Sequence, residues 1–95
     1  MVMAFADVFV QDGCVVVSEL CTVPRWRRHG YATELLARAR TLRTSFPTTA
    51  HVVLGNVVAD EFYERDGFVP GACTALDFFG EHIVERRWWQ DAQEP

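Results

Sequence analysis

Val23-Pro24-Arg25-Trp26-Arg27-Arg28-His29-Gly30-Tyr31-Ala32 is the stretch on which the fold turns. Ahead of it runs Cys14-Val15-Val16-Val17-Ser18-Glu19-Leu20-Cys21-Thr22-Val23, an almost continuous apolar, β-branched segment. Such a run predicts a central strand covered on both faces, where a half-exposed strand would alternate. Pro24 stops it, because proline has no N–H to give to a ladder. From Tyr31 onward the apolar period changes, and Tyr31, Ala32, Leu35, Leu36, Ala39 and Leu42 share one helical face. The quoted stretch is therefore a strand-to-helix junction with three arginines and a glycine in its turn.

Working outward, residues 3–10 are apolar and β-prone, and Gln11-Asp12-Gly13 follows them as a turn. Two β runs around an Asp-Gly pair predict a hairpin. The first helix carries Glu34 and Arg38 at i,i+4 and Arg40 and Arg43 near its negative end, and Phe46-Pro47 closes it. Residues 50–55 predict another buried strand. Asn56 then caps a second helix that turns Ala59, Phe62 and Tyr63 inward, with Gly67 as the residue just past its end. The rest, Val69–Phe79 and Glu81–Trp89, predicts two strands around Gly80. The order is β-β-α-β-α-β-β, an α/β arrangement in which the middle strand–helix–strand unit places two parallel strands in one mixed sheet.

Ninety-five residues predict one domain spanning 1–95. A hydrophobic content of 49% and a charged content of 23% are those of a folded globular chain. A net charge of −4 argues against recruitment by nucleic acid or by an anionic membrane surface. No run is long enough to span a bilayer, and the first residues lack the pattern of a signal peptide. Cys14, Cys21 and Cys73 are an odd, scattered set, which predicts thiols in a reducing cytoplasm and not a disulfide framework. His51 and His82 have no ligand spacing, so no metal site is expected. Trp88-Trp89 suits packing against the body or an interface anchor. All nine basic residues are arginine. GC-rich coding bias explains this.

The junction has a chemistry of its own. A helix N-terminus leaves backbone N–H groups without partners and carries partial positive charge, so an anionic phosphate fits there. Gly30 permits close backbone approach, and Arg27 and Arg28 add attraction or ion pairs. Taken alone, Arg27-x-x-Gly30-x-Ala32 also describes a solvated loop leading into a helix.

A second segment is in register with the first: Asn56-x-x-Ala59-x-x-Phe62-Tyr63-x-x-x-Gly67-Phe68. Together with Pro24-x-x-Arg27-x-x-Gly30-x-Ala32, it resembles the cofactor-binding half of the GCN5-related N-acetyltransferase superfamily. The resemblance covers residues 14–89, with the motifs concentrated in 19–33 and 56–68. It implies that acetyl-CoA is the cofactor and that an amine, on a small molecule or a protein, is the acceptor. The backbone amides of Arg28, Gly30, Tyr31, Ala32 and Thr33 would hold the CoA pyrophosphate. The strand edge at Leu20, Cys21, Thr22 and Val23 would pair with the pantetheine amides. Arg25, Trp26 and His29 would meet the adenosine end or simply face solvent.

By the same resemblance Tyr63 would lie near the CoA sulfur and protonate the departing thiolate, or else be a core residue. Asn56 would orient the cofactor or acceptor, or else be a plain cap. A lysine-like acceptor arrives protonated and must lose a proton before it attacks the thioester. Glu19 is the carboxylate of the run 14–23, and burial would raise its pKa toward that of a useful base. Ser18 and Cys21 are the nearby substitutes. The resemblance departs at the start of the chain, where family members carry a strand and two helices that wall the acceptor site, and then a further strand. Three readings follow: an acyltransferase whose cleft is open or completed by a second copy in a homodimer, a non-catalytic CoA-binding module, and a phosphate-contacting scaffold working through residues 25–29.

Overall fold

The computed structural model describes residues 4–22 and 30–92, without the side chains of Glu19, Cys21, Thr22 and Phe78. Strand β1 (Ala4–Gln11) turns at Asp12-Gly13 into β2 (Cys14–Thr22). Both turn residues have positive φ, 52° and 75°, the left-handed pair that a two-residue hairpin loop requires. Helix α1 (Tyr31–Arg40) runs into a 3-10 turn at Thr41–Arg43, then β3 (Thr48–Val53), α2 (Val57–Arg65), β4 (Val69–Phe78) and β5 (Glu81–Gln90) follow. The five strands form one mixed sheet in the order β1-β2-β3-β5-β4. The element order read from the sequence holds throughout.

Three boundaries or faces differ from the sequence reading. Strand β3 starts at Thr48 and ends at Val53, two residues ahead of the expected 50–55 span at each end. Thr48 and Thr49 look polar in sequence yet are buried, because Thr49 sits in register between Val16 and Trp89. The helix ends at Arg40 and tightens, which swings Leu42 off the apolar stripe and leaves it 47% exposed. Strand β2 is sealed on one face only, with Val15 and Val17 buried while Val16 is half-buried.

The reason lies in where the helices go. Val17, Ala50 and Trp88 stand side by side on adjacent strands, and they share one apolar cluster with Leu36 of α1 and Tyr63 and Phe68 of α2 and its exit. Both helices therefore cover the same face of the sheet. The other face carries the row Phe9, Val16, Thr49, Trp89 and Val69 across all five strands. No helix among the described residues covers it.

Candidate functional site

Strands β2 and β3 run parallel and pair only from Val15, Val16 and Val17 to Thr48, Thr49 and Ala50. Beyond that point β2 continues to Thr22 and β3 to Val53, with no pairing between them among the described residues. The sheet forks. The cause is visible in the β1–β2 register, where Asp7 opposes Glu19 but Val8 opposes Val17, so Ser18 is an extra residue on β2. A bulge of this kind bends its strand and increases the local twist. Ser18 Oγ donates to the Asp7 carboxylate at 2.9 Å and to the Asp7 carbonyl at 3.2 Å, tying the bulge to β1. The backbone edge of Leu20, Cys21 and Thr22 that faces β3 is thereby left to one arm of the fork.

Helix α1 packs against β1 and β2. Its N-cap, Gly30, has φ 81° and ψ 6°, and no side chain caps the helix. The first intrahelical bond runs from Glu34 N to Gly30 O at 3.0 Å. The N–H groups of Ala32 and Thr33 precede that bond and have no intrahelical acceptor. A Cβ added at Gly30 would meet nothing within 4 Å, so the glycine is there for its left-handed backbone and the space beside it is open. Val23, Arg27, Arg28 and His29, with Arg25 and Trp26, lie outside the described residues.

Tyr63 sits under the crotch of the fork. It is 5% exposed, within the cluster that holds Val17, Ala50 and Val52. Its ring meets Phe62 and Phe68 edge-on, each at 5.2 Å, and stacks on Trp88 at 6.4 Å. Its hydroxyl has no hydrogen-bond partner among the described residues. Burial first, and the Asp66 carboxylate second, push its pKa up to about 12. Tyr63 is thus both a core ring and a phenol that holds its proton.

The helix end fixes that ring. Gly67, at φ 91°, donates to Glu64 O at 3.1 Å, and Phe68 N donates to Tyr63 O at 2.9 Å. This is the Schellman closure, whose usual apolar contact is here the Tyr63–Phe68 ring pair. At the other end of α2, Asn56 Oδ1 accepts from Ala59 N at 3.2 Å, so the capping role read from the sequence is present. Trp88 Nε1 donates to Asp60 at 3.2 Å and joins α2 to β5, which makes Trp88 a packing residue. Trp89 lies on the opposite face under the Arg87 guanidinium, 4.6 Å from its ring centroid.

Glu19 is in the fork-forming part of β2, opposite Asp7, and its side chain is not among those described. Sequence reasoning missed Asp7, because only the bulge brings it into register with Glu19. It also missed the polar group under α2's exit. Burial raises the pKa of Asp66, Arg40 partly offsets that, and Gln90 Nε2 donates to the Asp66 carbonyl at 3.1 Å. No local pattern in the sequence marks these three as neighbours.

The comparisons with known proteins agree on one architecture. Residues 1–70 match the family model described as the acetyltransferase (GNAT) domain. No curated protein matches at a significant level. Among solved structures, a putative streptothricin acetyltransferase from Bacillus anthracis in complex with acetyl coenzyme A superposes with a TM-score of 0.81 at 20% identity, over 95% of this chain and 56% of that one. The ribosomal-protein-S18-alanine N-acetyltransferase of Escherichia coli superposes with a TM-score of 0.77 at 16% identity, over 98% of this chain and 63% of that one. An Arabidopsis thaliana NAA60 complex with acetyl-CoA gives 0.71 at 17% identity, over 88% and 54%. At these identities the superpositions speak for the fold, and this chain spans little more than half the length of each structure.

Proposed function

This chain belongs to the GNAT acetyltransferase domain family, and from that membership we propose that it binds acetyl-CoA in the β2–β3 fork and transfers the acetyl group to an amine. The observation that carries the reading is the fork itself, together with a helix start at Gly30 that no side chain caps. A pantetheine arm is a chain of amides, and a free strand edge at Leu20–Thr22 offers it a ladder to join. A pyrophosphate is an anion, and the N–H groups of Ala32 and Thr33, which have no intrahelical acceptor, offer it donors, to which Arg27 and Arg28 add charge.

The chemistry is direct. The amine nitrogen attacks the thioester carbonyl carbon, the C–S bond breaks, and the thiolate leaves while the nitrogen loses its proton. Glu19, on the arm of the fork, is the proposed base for that proton. Tyr63 is the proposed partner of the leaving sulfur. With its pKa pushed up to about 12, full proton transfer from Tyr63 to a thiolate of pKa about 8.5 runs uphill by several kcal/mol. Its role is therefore to donate a hydrogen bond to the developing charge and not to ionise. Asn56 spends its side-chain oxygen on the α2 cap and retains its amide nitrogen for the cofactor or acceptor. We place the protein in the cytoplasm as a homodimer, with the second copy helping to complete the acceptor cleft.

Purified protein with acetyl-CoA and a panel of small amines and peptides tests this by release of free thiol. Acetyl-dependent thiol release above the uncatalysed rate is expected with at least one acceptor. A thermal shift with acetyl-CoA and no release with any acceptor would leave a second reading standing, a CoA-binding module without chemistry. That reading draws on the seating of Tyr63 in the apolar core. No thermal shift at all would remove both.

A further inference from the structure

We infer that Asp60 and Gln90 are positioning residues for Tyr63, closing two hydrogen bonds between β5 and α2 that set where the phenol stands under the fork. The inference rests on the role proposed for Tyr63 above and adds what holds that residue in place.

Helix α2 has nine residues, and the residue it buries is Tyr63. A helix this short is marginal alone, so its orientation comes from tertiary contacts. One buried ring fixes the depth of the helix, but not its roll about its own axis or its tilt along the sheet. A phenol that donates to a sulfur needs all three fixed, because a hydrogen bond weakens steeply with misalignment.

Two polar contacts supply that constraint, one on either side of Tyr63. Trp88 Nε1 donates to Asp60 Oδ1 at 3.2 Å, three residues before the tyrosine. Gln90 Nε2 donates to the Asp66 carbonyl at 3.1 Å, three residues after it. Spaced by three, Asp60, Tyr63 and Asp66 run down one side of the helix and its exit. Trp88 and Gln90, spaced by two, share one face of β5. Six helical residues rise about 9 Å and two strand residues about 7 Å, so the two spans match.

The indole is shared between the clamp and the phenol. Its ring stacks on Tyr63 at 6.4 Å with the planes 24° apart, so the carboxylate that holds the indole N–H also holds the surface on which the phenol rests. The Gln90 amide is pressed against the helix exit, where a Cβ on Gly67 would come within 3.1 Å of Nε2. The strand end is tied down in turn, because Arg40 Nη2 of α1 donates to the Asp91 carbonyl at 3.2 Å.

Gln90→Met and Asp60→Leu each delete one contact, and Asp60→Asn, which keeps an acceptor oxygen for the indole, is the rescue. With acetyl-CoA and an acceptor that supports turnover, the two deletions should lower kcat about tenfold or more, the scale of a small misplacement at a reacting centre. The acetyl-CoA Kd should stay at the wild-type value, and Asp60→Asn should recover kcat. Placed on Tyr63→Phe, the deletions should cost nothing further. A loss of equal size in that background, or an unchanged kcat with only a lower Tm, overturns the inference. If Tyr63→Phe turns over as wild type does, the donor role falls and the positioning role with it. If it is slow while the deletions are not, only the positioning role falls. Tyr31 and Tyr63 are the two tyrosines of the chain, so carbon-13 tyrosine labelling gives a second readout that needs no acceptor. The Tyr63 ring should flip faster in both deletions than in wild type or Asp60→Asn, and an unmoved Tyr63 spectrum refutes the assignment.

Discussion

The two helices of this small sheet begin in opposite ways. At α2, Asn56 folds its side chain back onto Ala59 N and the end is closed by protein atoms. At α1, Gly30 takes a left-handed backbone, no side chain caps the helix, and the space where a Cβ would stand is empty. One start is closed by its own side chain, while at the other the N–H groups of Ala32 and Thr33 have no intrahelical acceptor. The difference teaches that the first end serves the fold, and that the second is the one the proposed function uses.

The sharpest way to break this contrast is Gly30→Glu. It places a carboxylate where a pyrophosphate is proposed to dock, and the acetyl-CoA thermal shift should vanish, corresponding to at least about hundredfold weaker binding. Gly30→Asn, which tolerates the left-handed backbone, is the matching control and should keep the shift. If both variants bind as wild type does, the α1 start is not the anion site.

Tyr63→Phe tests whether α2, closed at its start, contributes chemistry further along. Removing one hydrogen-bond donor from a developing negative charge should lower turnover by about a hundredfold. Folding should hardly change, because the ring contacts with Phe62, Phe68 and Trp88 remain. Equal turnover in both proteins would reduce Tyr63 to a core residue.

The same tyrosine has a pH signature. Its pKa is raised from the ordinary phenol value of 10.0 to about 12, so the folded state holds the proton more tightly than the unfolded state does. The associated stability is complete below pH 10 and is lost as pH rises toward about 12. Chemical denaturation across that window should show a fall of about 2 kcal/mol or less that Tyr63→Phe lacks. A parallel fall in both would assign the loss to other groups.

The smallest effect is expected at Asn56. Asn56→Ala should cost about 1 kcal/mol of stability through the lost cap. Asn56→Asp keeps the capping oxygen and deletes the amide nitrogen. It should preserve stability and weaken acetyl-CoA or acceptor binding a few-fold, read by calorimetry and by KM. Unchanged binding in Asn56→Asp would confine the residue to capping.

Much of the fold was legible because its signals are local. The Asp12-Gly13 turn, the Asn56 cap and the Gly67 exit each depend on the backbone freedom or side-chain reach of one or two residues, and each is present. Where the sequence reading slipped, a neighbour from far along the chain had intervened. Thr48 and Thr49 are polar by composition but buried, Thr48 between Val15 and Gln90 and Thr49 between Val16 and Trp89 on the flanking strands. Val16 looked buried by its run of neighbours, but no helix among the described residues covers its face of the sheet. For the site, the glycine and the tyrosine were legible as motif positions. The fork, Asp7's register with Glu19, and the Asp66 environment were not.

The sequence by itself determined the element order and the turns and caps, and it supplied the residues proposed to meet an anion or a sulfur. Those properties follow from backbone dihedral preferences and hydrophobic period, which act over a handful of residues. Tertiary structure alone decided that both helices share one face, that β2 and β3 part after Val17 and Ala50, and that the five described strands order themselves β1-β2-β3-β5-β4. Strand pairing joins residues remote in the chain, and a single extra residue at Ser18 changes every register beyond it.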